Sequence, residues 1–166
     1  MTHTYTYTYT SPLGDILIAT DTIGLYGLWF KDQKYYAKGL QDPYKEELTP
    51  LIQQVINWLD AYFKGLNPPI SFPLHLIGTP YQKQVWQILT TIPYGQTTTY
   101  KQIALMIAKE RGTTTYSSQA VGGAVGHNLI SIIIPCHRVI GTNGSLTGYA
   151  GGIERKTYLL KLEKVL

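Results

Sequence analysis

Residues 4–10 read Thr-Tyr-Thr-Tyr-Thr-Tyr-Thr, and strict period two with β-branched and aromatic side chains predicts a strand. Ser11-Pro-Leu-Gly14 predicts a turn, residues 15–19 (Asp-Ile-Leu-Ile-Ala) a second strand, and residues 24–30 (Gly-Leu-Tyr-Gly-Leu-Trp-Phe) a third. Connections this short favour an antiparallel meander, with the Thr/Tyr strand suited to a half-buried edge. Residues 31–42 are polar and carry no clear period. From 43 to 64 the pattern turns helical: Leu51, Ile52, Val55, Ile56, Leu59, Tyr62 and Phe63 fall on one helical face. Gly65 and Asn67-Pro-Pro69 stop that helix. Residues 70–77 suggest one more strand, interrupted by Pro73.

A second set of helices follows. Thr79 caps, Pro80 sits at the first helical position, and Gln82 completes a capping box. This helix buries Tyr81, Val85, Ile88, Leu89 and Ile92 and ends at Pro93-Tyr-Gly95. A short helix over 100–109 turns Ile103, Ala104 and Ile107 inward. After a polar loop, Ser117 or Ser118 caps a further helix over 119–126, Gln-Ala-Val-Gly-Gly-Ala-Val-Gly. The pair suits a helix-turn-helix. Four isoleucines in five positions, residues 130–134, predict a short buried strand ended by Pro135. A turn at 141–144, a glycine-rich loop at 148–152 and a helix over 153–166, anchored by Ile153, Leu159, Leu160 and Leu162, complete the chain.

Composition narrows the class. At 166 residues with mean hydropathy −0.06, the chain reads as one large or two small globular domains. No run approaches the roughly 18 apolar residues of a membrane span, and no leader pattern is seen. A single cysteine excludes an internal disulfide and fits a reducing, cytoplasmic setting. It also excludes a Cys-rich zinc site, and His3, His75, His127 and His137 lack ligand spacing, so no metal or cofactor is expected. Charge is uneven: residues 1–79 hold five lysines against seven acids, residues 80–166 nine Lys/Arg against three acids. The shift near residue 78 suggests a domain boundary, 1–78 and 79–166. The basic half is either a solvated face or the footprint of an anionic partner, nucleic acid first in line.

That half holds Pro135-Cys-His-Arg-Val139. A lone cysteine is most often a small buried hydrophobe. Cys136, beside His137 and Arg138, is also a candidate nucleophile, because a thiol near cations loses its proton more easily. Gly122 and Gly123 side by side cost a helix about 1 kcal/mol each against alanine. They serve either tight packing on a neighbouring helix or close approach to a nucleic-acid groove. Gly148-Tyr-Ala-Gly-Gly152 is either an ordinary surface loop or a wrap around a flat ligand with Tyr149 as lid.

Taken together, residues 79–163 closely resemble the O6-alkylguanine-DNA alkyltransferases, or methylated-DNA–protein-cysteine methyltransferases. The matching pieces are Thr79-Pro-Tyr-Gln with Val85-Trp86, Ile92-Pro-Tyr-Gly-Gln96, Tyr100-Lys-Gln-Ile-Ala104, Ala120-Val-Gly-Gly-Ala124, Asn128, the Pro-Cys-His-Arg-Val core, Gly148-Tyr-Ala-Gly-Gly152, and Lys156 through Glu163. The resemblance implies an α/β (α+β) fold: a small RNase H-like antiparallel sheet with a helix, then a mostly helical, winged-helix-like domain with a helix-turn-helix. It implies irreversible, single-turnover transfer of an alkyl group from O6-alkylguanine in double-stranded DNA to Cys136, by a cytoplasmic monomer without cofactor. O4-alkylthymine stays open as a second substrate. His137 would be the base through a water, Glu163 its orienter, and Tyr100 would supply a hydroxyl proton or a hydrogen bond to the leaving guanine. Val139, Tyr149 and Ala150 would line the pocket, and Asn128 would brace the turn. Gln119, Ala120, Gly122, Gly123 and Arg138 would face DNA, bound by its minor groove with the target base flipped out.

Gln119 departs from the family, which places an arginine there to fill the space of the flipped base. Leu129 stands where proline is frequent, and Ala150 where serine is. The departure at Gln119 keeps a rival reading in view, a non-catalytic alkylated-DNA-binding protein of the alkyltransferase-like type, although those proteins lack the cysteine. A cysteine hydrolase would turn over and usually draws its histidine from far along the chain.

Overall fold

In the computed structural model, residues 3–146 and 148–166 are described. Met1 and Thr2, read above for a leader, and Thr147 lie outside them. The chain forms two compact units: residues 1–77 with 129–131, and residues 78–128 with 132–166. Three residues therefore depart from a simple division near residue 78.

The first unit is a four-stranded sheet in the order β3-β2-β1-β4, with one helix. β1 (Thr4–Ser11), β2 (Gly14–Thr20) and β3 (Leu25–Phe30) form the antiparallel meander. β1 is not the edge along its whole length, because β4 (Tyr44–Glu46) pairs in parallel with Thr4–Thr6. α1 (Pro50–Phe63) begins later than the helical pattern suggests, because Thr49 caps it by accepting from the Ile52 N–H and Pro50 takes its first position. Residues 70–77 form no strand; Leu74 only bridges Leu25. Pro73 cannot donate to a ladder, which limits pairing there. Leu129–Ser131 joins this unit through Leu28, whose N–H donates to Leu129 and whose carbonyl accepts from Ser131.

The second unit is mostly helical. α2 (Pro80–Leu89) carries the expected capping box of Thr79 and Gln82. α3 (Tyr100–Glu110) has another, from Thr99 and Gln102. α4 (Ser118–Gly126) is capped by Ser117, which accepts from the Ala120 N–H. The indole of Trp86 pins α4 to α2 with a buried 2.9 Å bond to the Ala124 carbonyl. Two two-residue strands, β5 (Thr98–Thr99) and β6 (Val139–Ile140), pair in parallel. α5 (Ile153–Leu162) closes the unit. Its expected anchor Ile153 is instead 53% exposed, and Lys156 takes an inward position.

The isoleucine run is not a strand. Ile130, Ile132, Ile133 and Ile134 are all buried, but only Ile130 makes a bridge, to Leu28, and residues 131–133 form a turn. Ile132 adopts φ +70°, a left-handed conformation that strains a β-branched residue. A continuous apolar run reports burial, and burial is satisfied equally by a turn inside the protein.

Candidate active site

Cys136 sits on a 3-10 turn, Cys136–Arg138, that starts after Pro135. The turn is closed by the Cys136 N–H on the Ile134 carbonyl (2.8 Å) and the Arg138 N–H on the Pro135 carbonyl (3.0 Å). Asn128, at the end of α4, braces it: its side-chain amide donates to the Ile134 carbonyl at 2.8 Å and also hydrogen-bonds the thiol. A reactive group thus hangs from a turn held by one buried amide, not from the end of a strand.

His137 and Glu163 are both buried, and imidazole Nε2 lies 2.6 Å from Glu163 Oε2. Burial lowers the pKa of His137 below its ordinary value, and the carboxylate partly offsets this. A neutral imidazole whose Nε2–H points at a carboxylate carries its lone pair on Nδ1, so the pair is arranged as base and orienter.

Arg138 was expected toward DNA, but its guanidinium is committed inside this site. Nε and Nη2 donate to the two oxygens of Glu163 (2.8 and 3.1 Å), and Nη1 donates to the Ile92 carbonyl (2.6 Å). The Gly95 N–H adds a further bond to Glu163 Oε1 at 3.1 Å. Glu163 is therefore clamped from three sides, which fixes the carboxylate that orients the imidazole.

Only 4% of Cys136 is exposed, and burial pushes its thiol up, opposite to the simple expectation from neighbouring cations. The opposing influences are the Asn128 amide, the charge of Lys156 and the N–H groups of Cys136 and His137. Lys156 is the residue that sequence reading missed. It is fully buried, and its ammonium donates to the Val139 carbonyl just after the cysteine turn. The helix expected over 153–166 ends at Leu162, and its buried positions are Lys156, Leu159 and Leu160, so one position on the apolar face is a lysine.

Tyr100, at the start of α3, has its phenol pushed up by burial and then by the charge of Cys136, so the hydroxyl keeps its proton. A Cβ on Gly148, at φ +90°, would stand 2.7 Å from that hydroxyl, so only glycine lets the loop pass. Tyr149 is buried, its ring edge-to-face with His137 at 6.4 Å, so it is a wall of the site and not an exposed lid. Val139 is buried and Ala150 half-buried.

On α4, Gln119, Ala120 and Gly123 are exposed and Gly122 half-exposed. Among the described residues, a Cβ at Gly123 would meet nothing within 4 Å, and one at Gly122 only the Tyr100 ring at 3.9 Å. Helix packing therefore does not account for the glycine pair. An exposed, uncharged and unusually low helix face remains, suited to close approach of a partner from outside.

Comparison with known proteins decides the family. The family model described as 6-O-methylguanine DNA methyltransferase, DNA binding domain, matches residues 80–165, and that of the same family's ribonuclease-like domain matches residues 4–76. The chain belongs to the 6-O-methylguanine DNA methyltransferase family. It is 41% identical over 162 residues to a methylated-DNA–protein-cysteine methyltransferase of Haemophilus influenzae, covering 97% of this chain and 86% of that protein. To one of Methanosarcina barkeri it is 44% identical, covering 93% of each. Among solved structures it resembles Mycobacterium tuberculosis OGT in complex with DNA, with TM-score 0.82 and 39% identity, covering 96% of this chain and 92% of that one. In this methyltransferase family member, no described helix is long and apolar enough to cross a membrane.

Proposed function

We propose that the protein repairs O6-alkylguanine in double-stranded DNA by moving the alkyl group once and irreversibly to Cys136. The observation that carries this is the buried turn that presents one cysteine next to a clamped His137–Glu163 pair. Sγ attacks the alkyl carbon, an S–C bond forms, and the C–O6 bond breaks with its electrons retained on guanine. The thiol proton leaves through a water to His137, whose orientation Glu163 and Arg138 hold. Tyr100, kept protonated, donates to the guanine as charge develops on it. The thioether has no good leaving group, so one protein molecule repairs one base. A free nucleophilic thiol suits the reducing cytoplasm, which is the location we propose.

The exposed low face of α4 is the surface assigned to the minor groove, read by backbone and shape with the target base flipped out. Gln119 stands at its start. It hydrogen-bonds an orphaned base but brings no charge, so duplex affinity is weaker than with arginine.

The test is label transfer. A duplex with one radiolabelled O6-methylguanine should pass label to protein up to one equivalent and then stop. Sustained release of methyl to solvent would instead indicate a hydrolase. Binding of the duplex without transfer would indicate the alkyltransferase-like alternative.

A further inference from the structure

Leu129–Ser131 belongs to the first unit, while the residues on either side of it belong to the second and carry the alkyl acceptor. Asn128, just before, donates to the Ile134 carbonyl. Ile132, just after, begins the run Ile132-Ile133-Ile134-Pro135 that ends at Cys136. Backbone bonds to β3 hold the three residues: the Leu28 N–H donates to the Leu129 carbonyl at 2.8 Å, and the Ser131 N–H donates to the Leu28 carbonyl at 3.0 Å. A side-chain bond adds to them. The buried Ser131 hydroxyl donates to Oε1 of buried Gln33 at 3.3 Å.

Gln33 is itself fixed. Its Oε1 also accepts from the Phe30 N–H (2.9 Å), and its Nε2 donates to the Lys34 carbonyl (3.1 Å). A glutamine loses much rotamer freedom when buried and bonded at both ends of its amide, and nothing in the alkyl-transfer reading uses it. The neighbouring residue shows what such a tether can hold. Ile132 is buried at φ +70°, a left-handed conformation that a β-branched residue keeps only where its surroundings impose it. Return of Ile132 to an ordinary φ would redirect the chain leading to Ile134, whose carbonyl receives Asn128, and to Cys136. Gln33 and Leu28 fix the chain before Ile132, and Asn128 fixes it after, so the strained residue lies between two held points.

We infer that Ser131 and Gln33 are positioning residues for the alkyl acceptor. Their buried bond holds the chain against relaxation of Ile132, and thereby keeps the Asn128 bond and the place of Cys136. The inference deepens the alkyl-transfer reading and rests on it only for its purpose, since the tether exists without DNA.

The experiment is single-turnover methyl transfer at saturating duplex, with duplex Kd measured alongside. Ser131→Ala removes the donor and leaves Gln33 Oε1 bonded to Phe30. It should slow transfer about three- to tenfold, the loss of one buried hydrogen bond, with Kd unchanged. Gln33→Met should slow transfer at least as much, and the double variant should be no slower than Gln33→Met, because both act through one bond. Tyr9→Phe removes a different side-chain bond of the first unit, from Tyr9 to Asp60 at 2.6 Å. It should lower the urea midpoint without slowing transfer, which separates positioning from lost stability. A second measurement needs no DNA: the Asn128 side-chain amide resonance, by heteronuclear NMR, should shift toward that of a solvated amide in Ser131→Ala and Gln33→Met but not in Tyr9→Phe. An unchanged rate in Ser131→Ala, additive slowing in the double variant, equal slowing by Tyr9→Phe, or an Asn128 resonance that stays in place would each overturn the inference. If the wild type transfers no methyl group, the alkyl-transfer reading fails and the Asn128 resonance still decides the tether. If the wild type and the variants transfer equally fast, the tether alone fails.

Discussion

Among the described residues, the buried polar side chains of the first unit are Thr4, Thr6, Ser11, Thr20, Gln33 and Ser131, all neutral; those of the second include His137, Lys156 and Glu163. The glycines differ in the same direction. A Cβ at Gly27, in β3, would stand 2.0 Å from the Trp29 ring, and one at Gly24 would stand 2.5 Å from the Pro73 carbonyl, so packing requires both glycines. A Cβ at Gly123 in α4 would meet nothing within 4 Å among the described residues. In the first unit the buried polar groups carry no charge and packing demands these two glycines. The second keeps desolvated charge and two glycines in a helix, features that cost stability and make sense only through what the unit does.

Substitutions can break this contrast in order of expected effect. Glu163→Gln leaves Arg138 without its counterion and His137 without its orienter. Removing one partner of a buried charge pair destabilises by about 3–5 kcal/mol, and alkyl transfer should fall about a hundredfold or more. Urea unfolding and single-turnover rates check both. Gly27→Val in the first unit should also destabilise, by about 1–3 kcal/mol from overpacking against Trp29. Because that unit carries none of the reacting groups, the single-turnover rate of the folded fraction should stay unchanged.

Gly123→Ala should do the reverse of both. It should stabilise by about 1 kcal/mol, since alanine suits a helix interior better and no described atom stands in its way. It should also weaken duplex binding, measured by fluorescence anisotropy. Stabilisation without weaker binding would show that the low face of α4 meets no DNA. Gln119→Arg should leave stability within about 0.5 kcal/mol and increase both duplex affinity and repair rate in duplex. No change in either would remove Gln119 from the DNA face.

The smallest effect is on acid stability. The folded-state pKa of His137 lies below the ordinary 6.5, so the unfolded chain takes up the proton first on acidification. Its contribution to stability is therefore complete above about 6.5 and declines as pH falls below it. Urea midpoints should fall in that window, and His137→Gln should flatten the slope.

Much of this was legible from residue order. Thr79-Pro80 with Gln82 specifies a helix start by local hydrogen bonding alone, and the structure has it there. β1 follows from its alternating residues, whereas β2 and β3, the latter buried at every position, follow from apolar runs bounded by turn residues. The candidate residues Cys136 and His137 were visible together because they are adjacent in sequence, and the structure sets Glu163 against His137. Three features were hidden. The isoleucine run 130–134 has no period, so nothing separates a buried turn from a buried strand. Arg138 reads as a surface cation unless Glu163, twenty-five positions away, is known to receive it. Lys156 occupies a position that helix patterning gives to an apolar residue, and the Val139 carbonyl that receives its ammonium lies seventeen positions away.

The central claim is that Cys136 accepts one alkyl group from DNA, and intact-protein mass after incubation with a duplex carrying one O6-methylguanine tests it most directly. The account predicts a gain of one methyl group in wild type, mapped to the peptide containing Cys136, and no gain in Cys136→Ser. An unchanged mass with the duplex demonstrably bound, or a gain that persists in Cys136→Ser, would contradict it.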